Sequence, residues 1–353
     1  SATSGQTDMR GTVSVETSSG RPALDVELNS HVLRLADLGA RAAGLSRDAD
    51  TGKPAAKPTA QSTDKPLLLS NAMLKPSGVR HSDALVRYHA ERVEVGRVSL
   101  HAVAAKMTIE HGIAVVAPLV GNVLGGKLWA HIKLDATTDV PVADVDLKLT
   151  DLQLGQLGRK GAGKPPIQGL LRARVAVNGH GSSIHQVAAT ANGTVTAVLP
   201  HGTLRASLAE LTGVDLRGLG LLIAKSSKET AVRCGIASFQ AHQGTLTAQH
   251  LVLDTDAVLI TGSGAIHLDT EAVDLEFRGR PKSFRLIRWH APVLVRGTLA
   301  HPAIAVQASH SVAQTAAAVA LGVVLTPLAA VLAFVDPGLA KDADCSALLA
   351  AAP

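Results

Sequence analysis

Three short segments carry residue types that could do chemistry. The segment Gly262-Ser263-Gly264 places a serine between glycines, but a nucleophile elbow needs its glycines two residues from the serine, on a strand-to-helix turn. The segment 121–127, GNVLGGK, lacks the Gly-Lys-Ser/Thr ending of a phosphate-binding loop. Asp254 and Asp256 could form a metal pair, although no base or further ligand converges on them. We therefore predict a β-turn or bulge at the serine, solvated carboxylates at the aspartates, and a protein that is not an enzyme.

Histidine and cysteine spacing gives no metal site. The fifteen histidines are scattered, and no pair has the i, i+4 spacing with an intervening glutamate that zinc proteases use. The two cysteines, Cys234 and Cys345, exclude a four-cysteine zinc site and a disulfide-dense small domain. Their spacing leaves two interpretations open, one long-range disulfide or two separate buried thiols. We predict no metal and no cofactor.

Composition narrows the class of partner. The chain of 353 residues is 46% hydrophobic but contains only 4 Phe, 2 Trp and 1 Tyr. Its buried surface must therefore come from Leu, Val, Ala and Ile, and base stacking on aromatic side chains is disfavoured. The formal charge is +5, with lysines mainly in 53–65 and 159–164. This small, scattered excess does not indicate nucleic-acid binding; it fits weak attraction to anionic lipid head groups or simple solubility.

The elements that must position any site follow a period of two. Such alternation predicts strands with one apolar and one solvated face, and closely spaced Gly and Pro predict turn connections. The sequence therefore predicts a β-rich α+β protein with an antiparallel sheet. The alternating runs are Val13/Val15, Leu24/Val26/Leu28, Leu128/Ala130/Ile132/Leu134, Val145/Leu147/Leu149, Leu171/Ala173/Val175/Val177, Ile266/Leu268 and Val273/Leu275/Phe277.

An internal repeat indicates how the sheet grows. Residues 22–39, PALDVELNSHVLRLADLG, align without a gap to residues 141–158, PVADVDLKLTDLQLGQLG. We interpret each copy as a strand, a turn, a second strand and a Leu-rich tail, so that repeated hairpins build one elongated sheet. Residues 46–66 lack large apolar side chains, and we predict that they form a flexible polar insert.

Helical spacing is confined to short segments. Residues 184–191 predict one short helix, and leucines in 204–223 predict two more. Near the end, residues 312–335 run for 24 residues without a charge, a length that fits a membrane span. Pro327 would interrupt such a helix. We therefore favour two short helices folded against the apolar side of the sheet and keep the membrane span as the alternative.

Eight segments, taken in their order along the chain, form a series that is more specific than any one of them. They are DVDLKLTDLQLGQL (144–157), GKPPIQGLLRARVAVNGHG (163–181), ANGTV (191–195), VRCGIASF (232–239), LVLDT (251–255), GSGAIHL (262–268), LTPLAAVLAFVDPG (325–338) and DADC (342–345). Together these segments resemble the AsmA family of bacterial envelope proteins, in its C-terminal region. The resemblance covers about residues 10–45 and 80–350 and leaves out the insert at 46–66.

The resemblance implies a protein that an N-terminal helix anchors in the inner membrane, with its body in the periplasm. This sequence opens without an anchor or a signal-peptide pattern, so we expect that helix to lie outside it. The bodies of family members are similar to the long grooved sheets of bridge-like lipid-transfer proteins. The family is linked to outer-membrane assembly, lipid homeostasis and protein targeting to membranes. A periplasmic location would favour a Cys234–Cys345 disulfide.

We expect a non-enzymatic envelope protein with a curved sheet whose Leu, Val and Ala side chains shield the acyl chains of phospholipid. The alternative is a periplasmic scaffold that regulates protein targeting to, or assembly in, the outer membrane without carrying lipid. The expected partners are phospholipid or another acyl lipid, the inner membrane and outer-membrane assembly components, and not nucleic acid. The predicted groove-lining residues are Val145, Leu147, Leu149, Ala173, Val175, Val177, Leu275 and Phe277.

These expectations divide the chain into four parts. Residues 1–45 form the first β-repeat, and residues 46–66 form the polar insert. Residues 67–310 form the grooved sheet with its short crossover helices. Residues 311–353 form an apolar helical cap, which we expect to close one end of the groove.

Overall fold

The computed structural model describes residues 2–4, 7–17, 21–34, 37, 68–71, 76–96, 98–156, 165, 167–205, 229–282, 292–306 and 340–350. Seventeen strands form one sheet. The first nine are β1 (Ala2–Ser4), β2 (Thr7–Glu16), β3 (Ala23–Arg34), β4 (Asp83–Val95), β5 (Val98–Glu110), β6 (Ile113–Val123), β7 (Gly126–Asp135), β8 (Val142–Gln153) and β9 (Ile167–His180). The other eight are β10 (Asn192–Leu199), β11 (Gly202–Arg205), β12 (Glu229–His242), β13 (Thr245–Thr255), β14 (Val258–His267), β15 (Ala272–Pro281), β16 (Val293–Thr298) and β17 (Pro302–Val306).

The sheet follows the order of the chain. Strands pair with their neighbours in the sequence, and β10 and β11 lie end to end between β9 and β12, so the seventeen strands fill sixteen positions. The β-rich, elongated sheet predicted from the sequence is confirmed, with one correction. The sheet is mixed, because β3 and β4 pair in parallel while all other pairs are antiparallel. Residues 35–82 connect this pair, and a parallel pair requires a long connection of this kind.

The internal repeat corresponds to two equivalent strands. β3 and β8 each contain 12 residues and begin at matching positions of the two copies. Each copy is one bent strand, where the sequence predicts a strand, a turn and a second strand. A bulge explains the difference: φ is +56° at Asp151, and beyond it Leu152 lies opposite Leu171 on the apolar face. The buried Leu33 occupies the equivalent place in β3. In sequence, this one-residue shift of the alternation resembles a turn.

The described helices are short. They are α1 (Pro76–His81), α2 (Ile184–Ala189) and α3 (Cys345–Ala350), with a 3-10 turn at Leu154–Gln156. The helix predicted at 184–191 is confirmed as α2, and Ser183 caps it by accepting a hydrogen bond from the backbone N–H of Gln186 at 3.1 Å. In the predicted helical region 204–223, Leu204 instead belongs to β11. The remainder of that region, the insert 46–66 and the apolar segment 312–335 lie outside the described residues.

Candidate functional site

The candidate site is the apolar face of the sheet, and the strand register makes it continuous. Directly opposed residues of neighbouring strands lie on the same face. Six predicted lining residues form three such pairs across β8 and β9: Val145 with Val177, Leu147 with Val175, and Leu149 with Ala173. The structure therefore brings these six side chains together in three adjacent rows.

The rows continue from β8 to both sides of the sheet. Their members are aliphatic side chains and glycines with one tyrosine and one phenylalanine, and none is charged. Towards β2, successive register partners of Leu147 are Ala130, Leu119, Ala105, Tyr88, Leu28 and Gly11. Towards β17, successive partners of Leu149 are Ala173, Ala197, Ala237, Leu251, Gly262, Phe277, Val293 and Val306.

This face is only partly covered by the described chain. The six residues on β8 and β9 are half-buried, and two of them, Leu147 and Leu149, pack against the buried cluster of Val123, Leu128 and Leu152. Among the described helices, α1 packs on β6, α2 on β9 and α3 on β12. The contacts of α2 lie at the end of its strand, where a Cβ atom on Gly179 would be 2.2 Å from the carbonyl oxygen of Val187. The middle of the face therefore remains accessible to an apolar ligand in the part of the chain that the structure describes.

The two predicted lining residues on β15 lie in a more tightly packed part of the same face. Leu275 is buried in a cluster with Leu251 and Val273. Phe277 is half-buried opposite Gly262, where a Cβ atom would lie 2.7 Å from a ring carbon of Phe277. Glycine thus leaves the space that the ring occupies. The face is open at β8 and β9 and filled by its own side chains at β13 to β15.

The opposite face of the sheet is charged. Its arginine and aspartate side chains pair across neighbouring strands, and such exposed pairs contribute only about 0–1 kcal/mol each. Their main effect is to keep this face in water, so that an apolar ligand can be accommodated on one side of the sheet only. Examples are Arg87 with Asp25 at 2.9 Å, Arg174 with Asp146 at 3.2 Å and Arg296 with Asp274 at 3.0 Å.

The C-terminal segment 340–350 is fastened to the sheet. Cys345, the first residue of α3, forms a disulfide with Cys234 of β12 (S–S 2.03 Å). The backbone N–H of Ala343 donates a hydrogen bond to the carboxylate of Asp254 at 3.1 Å. We call these contacts, together with the ion cluster around Asp254, the C-terminal clasp. The disulfide joins residues 111 positions apart, and in the loop-entropy model closing a loop of about a hundred residues contributes about 4–5 kcal/mol.

The ion cluster of the clasp is built on a buried carboxylate. Asp254 is completely buried, and its carboxylate lies 2.5 Å from Nζ of Lys282 and 3.4 Å from Nη1 of Arg233. Asp342 pairs with both cations. Burial opposes the charged form of Lys282, but hydrogen bonds to the two carboxylates outweigh it and raise its pKa. The hydrogen bond from Lys282 in turn lowers the pKa of Asp342.

The structure places the three segments with chemically suggestive residues in a strand, in a turn and in the clasp. Residues 262–264 lie inside β14, and the irregular register falls in the neighbouring strand β13. The segment GNVLGGK forms the turn between β6 and β7, where Leu124 and Gly125 have φ of +48° and +73°, as a type I′ turn requires. Asp254 belongs to the clasp and is not solvated, whereas Asp256 is exposed. Within the described ranges, no group of three or more His, Cys, Asp or Glu is placed to hold a metal ion.

Two features of the site have little or no signal in the sequence. The apolar face extends over β4 to β6, where the alternation on β4 uses Ala84, Val86, Tyr88 and Ala90, and alanines make that pattern weak. The second feature is Glu271, which is completely buried in the turn after β14. Its two carboxylate oxygens accept hydrogen bonds from the consecutive backbone N–H groups of residues 68 and 69, at 2.7 and 2.6 Å. A partner some two hundred positions away cannot be recognised from local sequence.

Comparison with known proteins assigns the family. The sequence profile of the AsmA family matches residues 1–251. The chain belongs to the AsmA family. The resemblance found from its motifs is thereby confirmed. This AsmA-family chain is similar to the AsmA family protein YhjG of Escherichia coli (strain K12), with 25% identity over 352 residues, which are 98% of this chain and 51% of YhjG.

The chain therefore spans about half the length of that relative. No solved structure matches it. Membership of the AsmA family supports a protein of the bacterial cell envelope. Within the described residues, no helix has both the length and the apolar character that crossing a membrane requires.

Proposed function

We propose that this AsmA-family chain holds the acyl chains of phospholipid against the apolar face of its sheet and catalyses no reaction. The observation that carries the proposal is an apolar face without charged side chains. One row of register partners runs from β2 to β8, the adjacent row continues from β8 to β17, and neither contains a charged residue. Half-buried aliphatic residues at β8 and β9 leave room for a further apolar layer.

Physical chemistry supports an acyl chain as that layer. Each methylene group removed from water contributes about 0.8 kcal/mol, so affinity comes from length of contact and requires no specific polar residue. Small aliphatic side chains give a smooth surface along which a chain can lie. Open sheets beyond about ten strands curl, and a sixteen-position sheet that curls with its apolar face inside would form the walls of a groove.

Site-specific photo-crosslinking tests the proposal with a matched control in the next residue. Val175 lies in the apolar row, whereas Ala176 lies on the charged face between Asp146 and Thr194. A photoreactive amino acid at position 175 should crosslink to phospholipid in cells and to labelled phospholipid added to the purified chain. The same group at position 176 should not. Equal lipid crosslinking at both positions, or none at position 175 together with lipid-free protein in native mass spectrometry, would refute the proposal.

We also propose that the whole protein is anchored in the inner membrane by a helix outside this sequence, with its sheet in the periplasm. The Cys234–Cys345 disulfide supports this location, because disulfides persist in oxidising compartments such as the periplasm. The test is protease accessibility in spheroplasts and in intact cells. We expect protection of the sheet in intact cells and digestion in spheroplasts, and protection in both would place the sheet in the cytoplasm.

A second candidate function is a scaffold that regulates protein targeting to, or assembly in, the outer membrane without carrying lipid. The observation that favours it is the edge of β2. Within the described residues, β1 pairs only with Thr7–Met9 of β2, and the exposed stretch Arg10–Val15 pairs with β3 on one side alone. Such an edge can accept an extended segment of another protein. Photo-crosslinks from position 12 to protein, combined with none from position 175 to lipid, would favour the scaffold.

A further inference from the structure

Both phenylalanines of the described chain lie in one part of the apolar face. Phe239 of β12 belongs to the row that contains Leu147 and Val175. Phe277 of β15 belongs to the adjacent row, which contains Leu149. Each of the two rows therefore meets a phenylalanine ring between β12 and β15.

The two rings pack against one buried cluster of aliphatic side chains. Its members are Leu251 of β13 and Val273 and Leu275 of β15, and aliphatic side chains from β12, β14 and β16 pack against it as well. The apolar side of the sheet is therefore filled by its own residues from β12 to β16. Between β5 and β10, by contrast, the row of Leu147 consists of small and medium aliphatic residues, namely Ala105, Leu119, Ala130, Leu147, Val175 and Val195.

Glycines allow the filled part of the sheet to bend sharply. On its apolar face, Gly264 lies opposite Leu275, and Gly297 lies opposite Val273. Their φ angles are +129° and +118°, values that glycine adopts more readily than other residues. Glycine inside a strand marks a tight bend or a close approach of other groups. The sheet can therefore curl around the buried cluster.

A short segment from outside the sheet shows how strongly this part curls. The backbone N–H of residue 69 donates to the carboxylate of Glu271 at 2.6 Å, and the carbonyl of residue 70 accepts from the backbone N–H of His185 at 3.1 Å. Glu271 follows β14, whereas His185 follows β9, four positions away in the sheet. Four positions of a flat sheet span about 19 Å, but two consecutive residues reach only about 7 Å. The ends of β9 and β14 therefore approach each other more closely than in a flat sheet.

An acyl chain that lies along the rows meets two different surfaces. From β5 to β10 it packs on aliphatic side chains, of which those on β8 and β9 are half-buried. Beyond β12, the same side of the sheet is occupied by Phe239, Phe277 and the buried cluster. Because protein interiors are close-packed, a chain can advance there only by separating these side chains from one another.

We propose that the groove for acyl chains is closed at one end, and that Phe239 and Phe277 form the stop. An acyl chain occupies the rows from β5 to β10, and lipid that moves along the sheet turns back at β12 without reaching β16 and β17. This inference rests on the proposed binding of phospholipid and adds the place at which the bound chain ends. Lipid that travels along the sheet is therefore exchanged towards the β2 side.

Photo-crosslinking of the full 353-residue chain separates this inference from the proposed function. A photoreactive amino acid at Val175 probes the open part of the groove, and one at Val293 of β16, the register partner of Phe277, probes the far side of the stop. With labelled phosphatidylethanolamine, we expect crosslinks at position 175 and, at position 293, none above those of the charged-face control at position 176. Equal crosslinking at positions 175 and 293 would overturn the stop and leave acyl-chain binding intact. Absence of crosslinks at position 175 would refute acyl-chain binding, and the stop with it.

Removal of the ring tests whether Phe277 is part of the stop. In the Phe277→Ala chain, lipid should reach β16, so crosslinks at position 293 should rise above the control while those at position 175 persist. The matched control is Trp129→Ala, which removes a ring from the charged face, opposite Lys148, and should leave position 293 without crosslinks. Position 293 that stays without crosslinks in Phe277→Ala, or gains them equally in both variants, would overturn the assignment. If Phe277→Ala does not fold, Phe277→Val takes its place, and the comparison of positions 175 and 293 in the unaltered chain still decides whether the stop exists.

Discussion

Replacing Asp254 with alanine tests the C-terminal clasp. The change removes a completely buried carboxylate that lies 2.5 Å from Nζ of Lys282. The ammonium group, whose side chain is only 9% exposed, is then left with Asp342 as its remaining carboxylate partner within the clasp. The change also removes the acceptor of the hydrogen bond from the backbone N–H of Ala343, which lies 3.1 Å from the Asp254 carboxylate, and a hydrogen bond to a charged group contributes about 1.5–3 kcal/mol. Because each 1.4 kcal/mol corresponds to about tenfold, detachment of segment 340–350 should become about tenfold to a hundredfold more frequent.

The rate of disulfide reduction measures this detachment. Cys234 is 1% exposed, and thiol exchange requires access to the sulfur atoms. We expect dithiothreitol to reduce the Cys234–Cys345 bond of the Asp254→Ala variant faster by about that factor under native conditions. The control is Asp256→Ala, two residues along the same strand end and exposed, for which we expect a rate within about threefold of the original. Less than tenfold acceleration for Asp254→Ala, or equal acceleration in the control, would refute the reasoning.

Three further predictions follow from the turns and the clasp. Gly96→Ala should lower the free energy of unfolding only by the left-handed backbone penalty of about 1–2 kcal/mol, because nothing lies within 4 Å of the added Cβ. Gly244→Ala would place its Cβ 2.2 Å from a carbonyl oxygen of α2. In urea unfolding it should therefore cost about 1–3 kcal/mol more than Gly96→Ala. Equal losses would contradict the close contact. Glu271→Gln puts an amide group where a carboxylate oxygen now accepts a backbone N–H. The free energy of unfolding should therefore fall by about 1–3 kcal/mol, and hydrogen exchange at residues 68 and 69 should accelerate. The control, Asp269→Asn, should change neither the stability nor the exchange. The pKa of Asp342 is lowered from 3.8. Its contribution to the stability of the clasp is therefore complete above pH 3.8 and is lost as the pH falls through the folded pKa. Hydrogen exchange in segment 340–350 that stays constant on acidification below pH 3.8 would argue against this ion pair.

The alternation of apolar and polar residues predicts the strands that have one apolar face and one solvated face. In β8 and β9, the apolar residues from Val145 to Leu149 and from Ala173 to Val177 face one side, and charged residues face the other. The period therefore predicts both the strands and the shared face. The same reasoning is weaker for β4, because Ala84 and Ala90 contribute little hydrophobic contrast. The sequence alone shows that residues 22–39 and 141–158 are equivalent. It does not distinguish the bulge near Asp151 from a turn, because both shift the alternation by one residue.

Contacts between distant parts of the chain were beyond sequence reasoning. Spacing left open whether Cys234 and Cys345 are bonded, because it does not reveal that the C-terminal segment lies on β12. The same holds for Asp254, whose carboxylate is buried beside a lysine from after β15. Glu271 and its hydrogen-bond donors at residues 68 and 69 are brought together only by the completed sheet. These sites depend on tertiary packing, which local propensity does not encode.

The near-sequential order of the strands has a consequence for how the protein is made. From β4 to β17, each strand pairs with the strand before it in the chain, except that β10 and β11 both pair with β9 and then with β12. A partner is therefore already present when each of these strands is synthesised. Short-range pairing of this kind favours rapid, progressive folding. An unfinished chain, however, always ends in an open edge beside an uncovered apolar strip, and these are the features that promote pairing between copies. The period of synthesis, and not the finished molecule, is therefore the stage at which this protein is most prone to aggregate.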